Sequence, residues 1–362
     1  MKPQPPPTPA LPRRLSLVAQ SVDSLCEGIR TGHWKGHLPG ERDLCEHLQV
    51  SRRTLRAALG ELQRQGWVEV AGHQRRRIVA RRTTRRAGAQ QKIIAVLSPW
   101  PFLALSTPMT FVMDALRDKL TQAGWIVEFH FNRACFSAHP ARALARLMED
   151  HPASVWLLFG SKEPMQRWLI SRQLPCLVAG SCAPGIALPS VDVDYRATCR
   201  HAAGLLWRKG HRRLAFVQPL DAYGGDVDSE EGLREALRGL PEAHIQVLRH
   251  DGTAAHLCTL LDEALRAPQP PTAYLVARPA LALAAMIHLL RRGQRIPQDV
   301  AIISRDDAPF LQFTHPLTAR YATNPAGLAR RIAMAVRQLA ETGTLPAHAT
   351  RLMPTFIAGG TV

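Results

Sequence analysis

The sequence predicts an α/β protein in which a small N-terminal helical unit is joined to a larger, two-lobed unit built on doubly wound parallel sheets. Three observations support this fold class. Short apolar runs alternate with helical patterns from residue 92 onward, as expected for strands buried on both faces of a parallel sheet. Two short amphipathic segments and a hairpin pattern precede residue 80. A basic stretch without apolar periodicity, residues 81–91, separates these two parts and is typical of a linker.

Composition and charge indicate a globular chain whose N-terminal quarter meets a polyanion. The 362 residues are 46% hydrophobic and carry a net charge of +17. Residues 1–91 hold 17 Lys and Arg against 7 Asp and Glu, whereas the other 271 residues hold 29 against 22. More than half of the excess positive charge therefore lies in one quarter of the chain, a distribution typical of nucleic-acid binding.

Other features of composition exclude several classes of protein. No segment has the run of about 18 apolar residues that a membrane span needs. The start, MKPQPPPTPALPRRL, lacks the apolar core of a secretory signal and is typical of a proline-rich flexible tail. The seven cysteines form no CxxC pair, so we expect reduced thiols in a cytoplasmic protein, no disulfide framework and no metal site.

The N-terminal elements follow from periodicity and turn residues. Apolar residues at spacings of three and four predict a helix from Leu15 to Ile29. A second helix begins at Glu41, and a third begins after Ser51 and ends at Gly66. The segments WVEV and RRRIVA predict two short strands joined by a hairpin turn. The tip of this hairpin is basic because Arg75, Arg76 and Arg77 follow the turn.

The start of the third helix carries the sharpest functional signal. Ser51 is placed as its N-cap, and Arg52, Arg53 and Arg56 then lie at its leading end, opposite the apolar residues. A recognition helix enters the major groove with its N-terminal residues foremost, where arginines reach guanine edges or phosphates. The alternative is ordinary solubilising charge. The helix–turn–helix spacing, the leading arginines and the basic hairpin occur together, which favours DNA binding.

The segment Leu38 to Val79 resembles the winged helix-turn-helix of GntR-type transcription regulators, whose pattern runs LPSERxLAxxLGVSRxTVRxALxxLxxxGxV. The resemblance implies that several residues of this segment contact DNA. Arg53, Arg75 and Arg76 are added because they lie at the start of the third helix and at the hairpin. The full predicted set is Arg42, Ser51, Arg52, Arg53, Thr54, Arg56, Gly72, Arg75 and Arg76. Two departures stand out: Gly40 replaces the usual serine, and the wing AGHQRRRIV lacks the family's GxGTFV ending.

The rest of the chain predicts strands and helices in alternation. The apolar runs are KIIAVLS (92–98), SVWLLFG (154–160), PCLVAG (175–180), RLAFVQ (213–218), AYLVAR (273–278) and VAIISR (300–305). The helical patterns between them include FVMDALRDKLTQAG, ATCRHAAGLLWRKG, EEGLREALRGL and ALALAAMIHLLRRG. This order predicts a doubly wound unit of two lobes.

Three stretches of this unit, residues 191–217, 291–310 and 314–339, resemble LacI-type regulators. The quoted matches are VDVDYRATCRHAAGLLWRKGHRRLAFV, RRGQRIPQDVAIISRDDAPF and THPLTARYATNPAGLARRIAMAVRQL. The resemblance implies the periplasmic-binding-protein-like I fold of that family's sensor domain. The predicted division is a flexible tail at 1–12, a winged helix-turn-helix DNA-binding domain at 13–80, a linker at 81–91 and a sensor domain of two lobes at 92–362.

The same resemblance implies a ligand site and shows where this chain departs from it. The family's ligand-facing Asn-Asp is Arg278-Pro279 here, the arginine of its RxxGF motif is Ser229, and the first aspartate of its GFDD motif is Asp306. Trp100 is a candidate for stacking on a ring, or else a core or surface residue. Arg278 alternatively pairs with a ligand carboxylate or phosphate, or forms a salt bridge with Asp306 across the cleft without any ligand role.

We therefore predict a ligand-responsive, sequence-specific transcriptional regulator, specifically a repressor. It would be a cytoplasmic homodimer that binds a pseudo-palindromic double-stranded DNA operator and a small effector, a sugar or another polar metabolite. Alternatives are a solute-binding protein of a transport system, or a regulator whose pocket has lost its effector. An enzyme is not expected, and neither is a cofactor or a membrane partner. The sequence has no P-loop, HExxH or GxSxG motif, and no GxGxxG between a strand and a helix.

Overall fold

The computed structural model describes residues 17–30, 33–34, 36–64, 66–71, 75–78, 92–346 and 349–362. The chain divides into two compact units, Met1–Gln90 and Gln91–Val362. The predicted tail and linker lie outside the described residues. Within the described ranges, no helix is long and apolar enough to cross a membrane.

The first unit consists of three helices followed by a two-stranded antiparallel sheet. Its elements are α1 (Leu17–Arg30), α2 (Glu41–Leu48), α3 (Arg52–Arg64), β1 (Val68–Ala71) and β2 (Arg75–Ile78). Gln49 ends α2 in a left-handed conformation with φ 52° and ψ 41°, which turns the chain toward α3. Periodicity predicts Leu44, Leu48, Leu55, Leu59 and Leu62 as buried. Four of them form the core of this unit with Leu25, whereas Leu48 is only partly buried against it.

The second unit alternates strands and helices along the whole of its length. Its elements are β3 (Ile93–Ser98), α4 (Thr107–Gln122), β4 (Ile126–Phe131), α5 (Ala141–Asp150), β5 (Val155–Phe159), α6 (Glu163–Ser171), β6 (Cys176–Ala179), β7 (Ser190–Val193), α7 (Tyr195–Arg208), β8 (Arg213–Pro219), α8 (Gly224–Leu237), β9 (His244–His250), α9 (Ala254–Arg266), β10 (Ala273–Val276), α10 (Pro279–Arg291), β11 (Ala301–Ser304), β12 (Ala319–Ala322), α11 (Pro325–Thr342), β13 (Ala349–Leu352) and β14 (Thr355–Ile357).

These strands form two six-stranded sheets, one in each lobe. The first lobe has the strand order β13-β7-β6-β5-β3-β4, with all neighbours parallel. The second has the order β14-β12-β11-β10-β8-β9, in which only the pair of β12 and β14 is antiparallel. The central strands β5 and β10 are buried along their whole length. This mixed α/β architecture confirms the predicted fold class.

The chain passes between the lobes three times, so each lobe contains segments distant in sequence. The passages follow β7, β12 and β13. Helix α11 thereby packs in the first lobe, with Ile332 and Val336 in the core that also holds Leu116 of α4. Helix α7 packs in the second lobe beside α8. The carboxyl ends of both parallel sheets consequently border the cleft, the usual ligand position in open α/β sheets.

The six strands predicted as apolar runs are all present, whereas the other six strands of this unit, β4, β7, β9, β12, β13 and β14, were not predicted. Four of these, β4, β9, β13 and β14, are edge strands. Strands β4 and β9 mix exposed side chains with partly or fully buried ones instead of forming a continuous buried run. An edge strand of this kind lacks the continuous apolar run that marks a central strand, so its signal in the sequence is weak.

Candidate DNA-binding surface and ligand cleft

The leading turn of α3 is held by its N-cap residue, as predicted. The Ser51 hydroxyl accepts a hydrogen bond from the Thr54 backbone N–H at 3.2 Å, and it lies 2.9 Å from Thr54 Oγ1. A serine cap of this kind stabilises a helix by about 1 kcal/mol. Arg52 and Arg53 follow directly and are exposed, so the start of α3 presents two guanidinium groups to solvent.

Two further arginines of the α2–α3 surface form ion pairs with glutamates. Arg56 Nε donates to Glu41 Oε2 at 2.9 Å, which connects α3 to the start of α2. Arg42 Nε donates to Glu46 Oε1 at 3.3 Å within α2. Both arginines remain largely exposed, and exposed pairs of this kind contribute little to folding stability. The pair of Arg56 and Glu41 instead restricts where the Arg56 guanidinium points.

The wing is described only in its strands. Arg75 and Arg76 lie in β2, where their backbone is in register with Ala71 and Val70 of β1. Gly72 lies outside the described residues. The DNA contacts of the wing therefore stay a prediction.

A cavity of about 950 Å³ lies between the two lobes of the second unit. Its walls come from the segments that follow the strands of both sheets. The aromatic lining residues are Trp100, Phe111, Phe159, Tyr195, Tyr223 and Phe310, and the charged ones are Asp192, Asp226, Arg278, Arg305, Asp306 and Asp307. A large, mostly apolar cavity with a few placed polar groups is the usual form of a small-molecule site.

Asp226 is the centre of the charged cluster on the second-lobe wall. Its two carboxylate oxygens accept from Arg278 Nη1 at 3.0 Å and Nη2 at 2.9 Å, and Oδ1 also accepts from Arg305 Nη1 at 2.8 Å. Burial by itself would raise the pKa of Asp226. The charges and hydrogen bonds of Arg305 and Arg278 outweigh burial and hold that pKa well below its usual value. Asp226 is therefore ionised at neutral pH.

Arg305 is a buried part of the cavity wall, and its donors are satisfied within the protein. Nη2 donates to Asp306 Oδ2 at 2.9 Å and to the Ala277 carbonyl at 3.1 Å, and Nη1 donates to Ser229 Oγ at 3.0 Å. The guanidinium also lies over the Tyr195 ring, 4.2 Å from its centroid. Two arginines and two aspartates thus form a cluster without net charge.

On the first-lobe wall, Trp100 faces an aromatic residue of the second lobe. The ring centroids of Trp100 and Tyr223 are 6.0 Å apart with planes at 59°. Gly160, at φ +59°, makes room for the indole, because a Cβ there would lie 2.7 Å from the Trp100 ring. Lys162 forms an ion pair with Asp221 and lies 5.1 Å from the Tyr223 ring centroid. The cleft thus has direct contacts between its lobes.

Two descriptions of known families match the parts just described. "Bacterial regulatory proteins, gntR family" matches residues 17–78, and "Periplasmic binding protein-like domain" matches residues 203–362. The first match lies in the first unit and the second match in the second unit.

The names of proteins similar to this chain describe transcriptional regulators. The HTH-type transcriptional repressor CytR of Escherichia coli (strain K12) is 31% identical over 169 residues, 44% of this chain and 48% of that protein. The HTH-type transcriptional regulator AglR of Rhizobium meliloti (strain 1021) is 30% identical over 177 residues, 47% of this chain and 50% of that protein. The chain thus matches about half the length of these relatives.

Solved structures share the fold of the second unit. A regulatory protein of the LacI family from Chloroflexus aggregans superposes with a TM-score of 0.66 at 20% identity, over 75% of this chain and 99% of that one. The transcriptional regulator CelR in complex with cellobiose gives 0.65 at 20% identity, over 87% of this chain and 92% of that one. At this level of identity the likeness concerns the fold alone.

In the second unit, the four predicted ligand residues have different surroundings. Arg278 and Asp306 line the cavity, but they do not pair with each other as the salt-bridge alternative required: Arg278 bonds Asp226, and Asp306 bonds Arg305. Ser229 is fully buried and meets Arg305, not the cavity. Trp100 lines the cavity from the first lobe, before the matched range begins.

Sequence reasoning missed Asp226, Arg305 and Asp192. A signal for Arg305 existed, because SRDD has arginine where the GFDD motif has phenylalanine. Asp192 had no such signal in the sequence. In the structure its carboxylate Oδ2 accepts from the Ser181 hydroxyl at 2.9 Å, and that hydroxyl also lies 2.9 Å from Asp228 Oδ2. Burial raises the pKa of Asp192 to about 6, against hydrogen bonds from Val193 and Ser181 and the charges of Arg351 and Arg305.

Proposed function

We propose that the chain is a ligand-responsive, sequence-specific transcriptional regulator, and specifically a repressor. The observation that carries this proposal is the combination in one chain of a capped helix with exposed leading arginines and a two-lobed unit with a ligand-sized cleft. We take residues 13–80 as the DNA-binding domain, 81–91 as the linker and 92–362 as the sensor. The names of similar proteins, among them a transcriptional repressor, support this assignment.

In the proposed complex, α3 enters the major groove with its first turn foremost. Arg52, Arg53 and Arg56 would read base edges, because a forked guanidinium matches the acceptors of guanine. Arg42, the wing arginines and the basic linker would contact phosphates and supply the salt-dependent part of the affinity. Thr54 and Ser51, held together at the cap, would contact the DNA phosphate backbone at the edge of the major groove.

We propose a homodimer that pairs through the exposed edge of the first-lobe sheet. Phe129 and Phe131 of β4, together with Phe102, expose 44, 49 and 45% of their surface, and β4 has no neighbouring strand on its outer side within the described part of the chain. Contiguous exposed aromatic residues mark interaction surfaces. A two-fold dimer would present two heads to a pseudo-palindromic operator.

The effector that fits the cleft best is an uncharged molecule with a ring. The guanidinium groups of Arg278 and Arg305 are already bound to Asp226 and Asp306, so an anionic ligand would have to displace a carboxylate. Trp100 and Tyr223 offer aromatic faces for a ring. A sugar or a similar polar metabolite meets both conditions.

Neutral sugars should therefore raise the melting temperature of the protein, whereas their phosphates should not. Stabilisation by the phosphates alone would refute this ligand class.

Ligand binding would control DNA binding through closure of the cleft. A ligand shifts the balance between open and closed lobes only by its different affinity for the two arrangements. Coupling between two sites is usually about 1–3 kcal/mol. Such closure would change the surroundings of the charged cluster around Asp226 and the contact between Trp100 and Tyr223.

The test of this function is selection of binding sites from a random duplex library with the purified chain. Arg52→Ala is run in parallel, with Arg64→Ala as a matched control at the far end of the same helix. We expect a two-fold symmetric sequence to be enriched by the wild type and the control but not by Arg52→Ala. No enrichment by the wild type would refute sequence-specific binding.

A further inference from the structure

A cluster of metal-ligating side chains lies on the first lobe, apart from the cleft. Glu128 and His130 are two residues apart on the edge strand β4 and therefore point to the same face of the sheet. His151 directly follows α5, and its backbone N–H bonds the Leu147 carbonyl. The two imidazole rings have centroids 4.6 Å apart, with planes at 54°. Two imidazoles and a carboxylate thus converge from two elements.

The geometry of this cluster leaves a buried ring nitrogen without a hydrogen bond to any described residue. One ligand atom from each of Glu128, His130 and His151 lies within 4.8 Å of the other two. His130 Nε2 lies 3.5 Å from Glu128 Oε2. That nitrogen is buried and has no hydrogen-bond partner within the described residues. Buried polar atoms are normally satisfied, and an unsatisfied one in such a cluster points to a missing ligand.

We propose that Glu128, His130 and His151 form a Zn²⁺ site. Imidazole nitrogens and a carboxylate oxygen suit this cation, and three protein ligands would leave a fourth position for water or another group. Tetrahedral bonds of about 2.1 Å place ligand atoms about 3.4 Å apart, so modest rotations close the site. His151 is exposed and Glu128 is partly so, which allows these rotations.

The surroundings of the cluster are compatible with entry of an ion. His151 also lines a surface cavity of about 510 Å³ together with Asp150, His139 and Arg146. The site lies on the face of β4 opposite Phe129 and Phe131, because side chains alternate along a strand. It does not depend on the proposed DNA or effector binding, since neither the cleft nor the DNA-binding surface contributes a ligand, although strand β4 also forms the proposed dimer edge.

A bound ion would tie the edge strand β4 to the end of α5. Because the three ligands meet only in the folded chain, Zn²⁺ would bind the native state preferentially and raise the melting temperature. The seven cysteines and the other histidines of the chain can also bind Zn²⁺, independently of this cluster. The test must therefore compare variants of the full chain.

The experiment is a Zn²⁺ titration of the full-length, chelator-treated chain against a chromophoric zinc indicator at neutral pH. Wild type is compared with His151→Gln, Glu128→Gln and the control His256→Gln, whose histidine forms an ion pair with Asp251 outside the cluster. The wild type and the control should bind one more equivalent than the other two variants. Loss of a ligand should weaken this binding at least by the roughly 10- to 100-fold that loss of an outer-shell partner costs.

Two further measurements keep the result interpretable. Melting curves without metal establish that each variant folds, and Zn²⁺ should raise the melting temperature of the wild type more than that of His151→Gln. Co²⁺ should give a visible absorption spectrum with the wild type that His151→Gln lacks. If His151→Gln folds and binds as many zinc equivalents, with the same affinity, as the wild type, the site does not exist.

Discussion

At the scale of single residues, Asp226 determines the charge balance of the cleft. It is almost completely buried and accepts hydrogen bonds from Arg278 and Arg305, which follow two neighbouring strands. Arg305 is itself buried, and a buried guanidinium is stable only when its charge is neutralised and its donors are satisfied. Asp226 is therefore as important for the fold of the cleft wall as for any ligand.

Asp226→Asn should destabilise the protein strongly. Removal of one partner from a buried ion pair costs about 3–5 kcal/mol, because the other charge stays buried without compensation. The free energy of unfolding, measured by denaturant titration at neutral pH, checks this expectation. Asp299→Asn, which removes a pair with Arg295 on the surface, is the control and should have a much smaller effect.

The pH dependence of the same variant has a definite sign. The folded pKa of Asp226 is lowered, so its contribution to stability is present above the unfolded value of about 3.9 and is lost as pH falls below it. The difference in stability between wild type and Asp226→Asn should accordingly shrink in acid. A difference that stays constant from neutral pH down to about 2 would contradict this reading of the ion pair.

Arg56 is the residue whose role in DNA binding is most open to test. Its pair with Glu41 positions the guanidinium but also competes with a base. Arg56→Ala should weaken binding to the selected site by about 1–3 kcal/mol if it reads a base, as measured by fluorescence anisotropy. Equal losses on selected and random duplex would instead assign Arg56 to a phosphate, and Arg64→Ala should change neither.

At the scale of elements, the packing of α7 against α8 depends on one glycine. A Cβ at Gly232 would lie 2.1 Å from the backbone carbonyl oxygen of Arg196. A backbone atom cannot rotate away as a side chain can, so the two helices would have to separate. The close approach also lets Arg196 bond Glu235 across the pair.

Gly232→Ala should therefore destabilise the second lobe by at least about 1–3 kcal/mol, the usual cost of overpacking a core. Thermal unfolding followed by circular dichroism measures the effect. Gly204→Ala in α7 is the matched control, because a Cβ there meets only the end of the Arg208 side chain at 3.4 Å. A variant Gly232→Ala as stable as the control would show that the helices do not approach this closely.

At the scale of the whole molecule, the proposed two-fold assembly would join the parts into a regulator. The exposed phenylalanines of β4 are too large an apolar surface to be left to solvent without a cost in solubility. Pairing of two chains would cover them, and it would set the spacing of the DNA half-sites.

The double change Phe129→Glu and Phe131→Glu should shift the protein from dimer to monomer, because charges in an apolar interface lose their hydration. Sedimentation velocity at several concentrations provides the measurement. Ile170→Glu, an exposed apolar position on α6, should leave the dimer intact. A wild type that sediments as a monomer, or a double variant that still dimerises, would exclude this interface.

Local patterns in the sequence were sufficient for the three helices of the first unit and for six of the twelve strands of the second unit. The Ser51 cap, the buried leucines of α3 and the apolar central strands depend on contacts within a few residues or on simple burial, and a single segment carries that information. Edge strands such as β4 were missed because burial on only one side leaves a weak pattern.

What the sequence determined by itself was therefore the fold class, the two kinds of unit and the arginines at the start of α3. Only the tertiary structure decided which groups meet. Arg305 reaches Asp226 across 79 positions of the chain, and His151 reaches β4 across 21. The physical reason is that strand and helix formation follow from short-range periodicity, whereas the neighbours of a buried charge depend on how the three passages between lobes bring distant strand ends together.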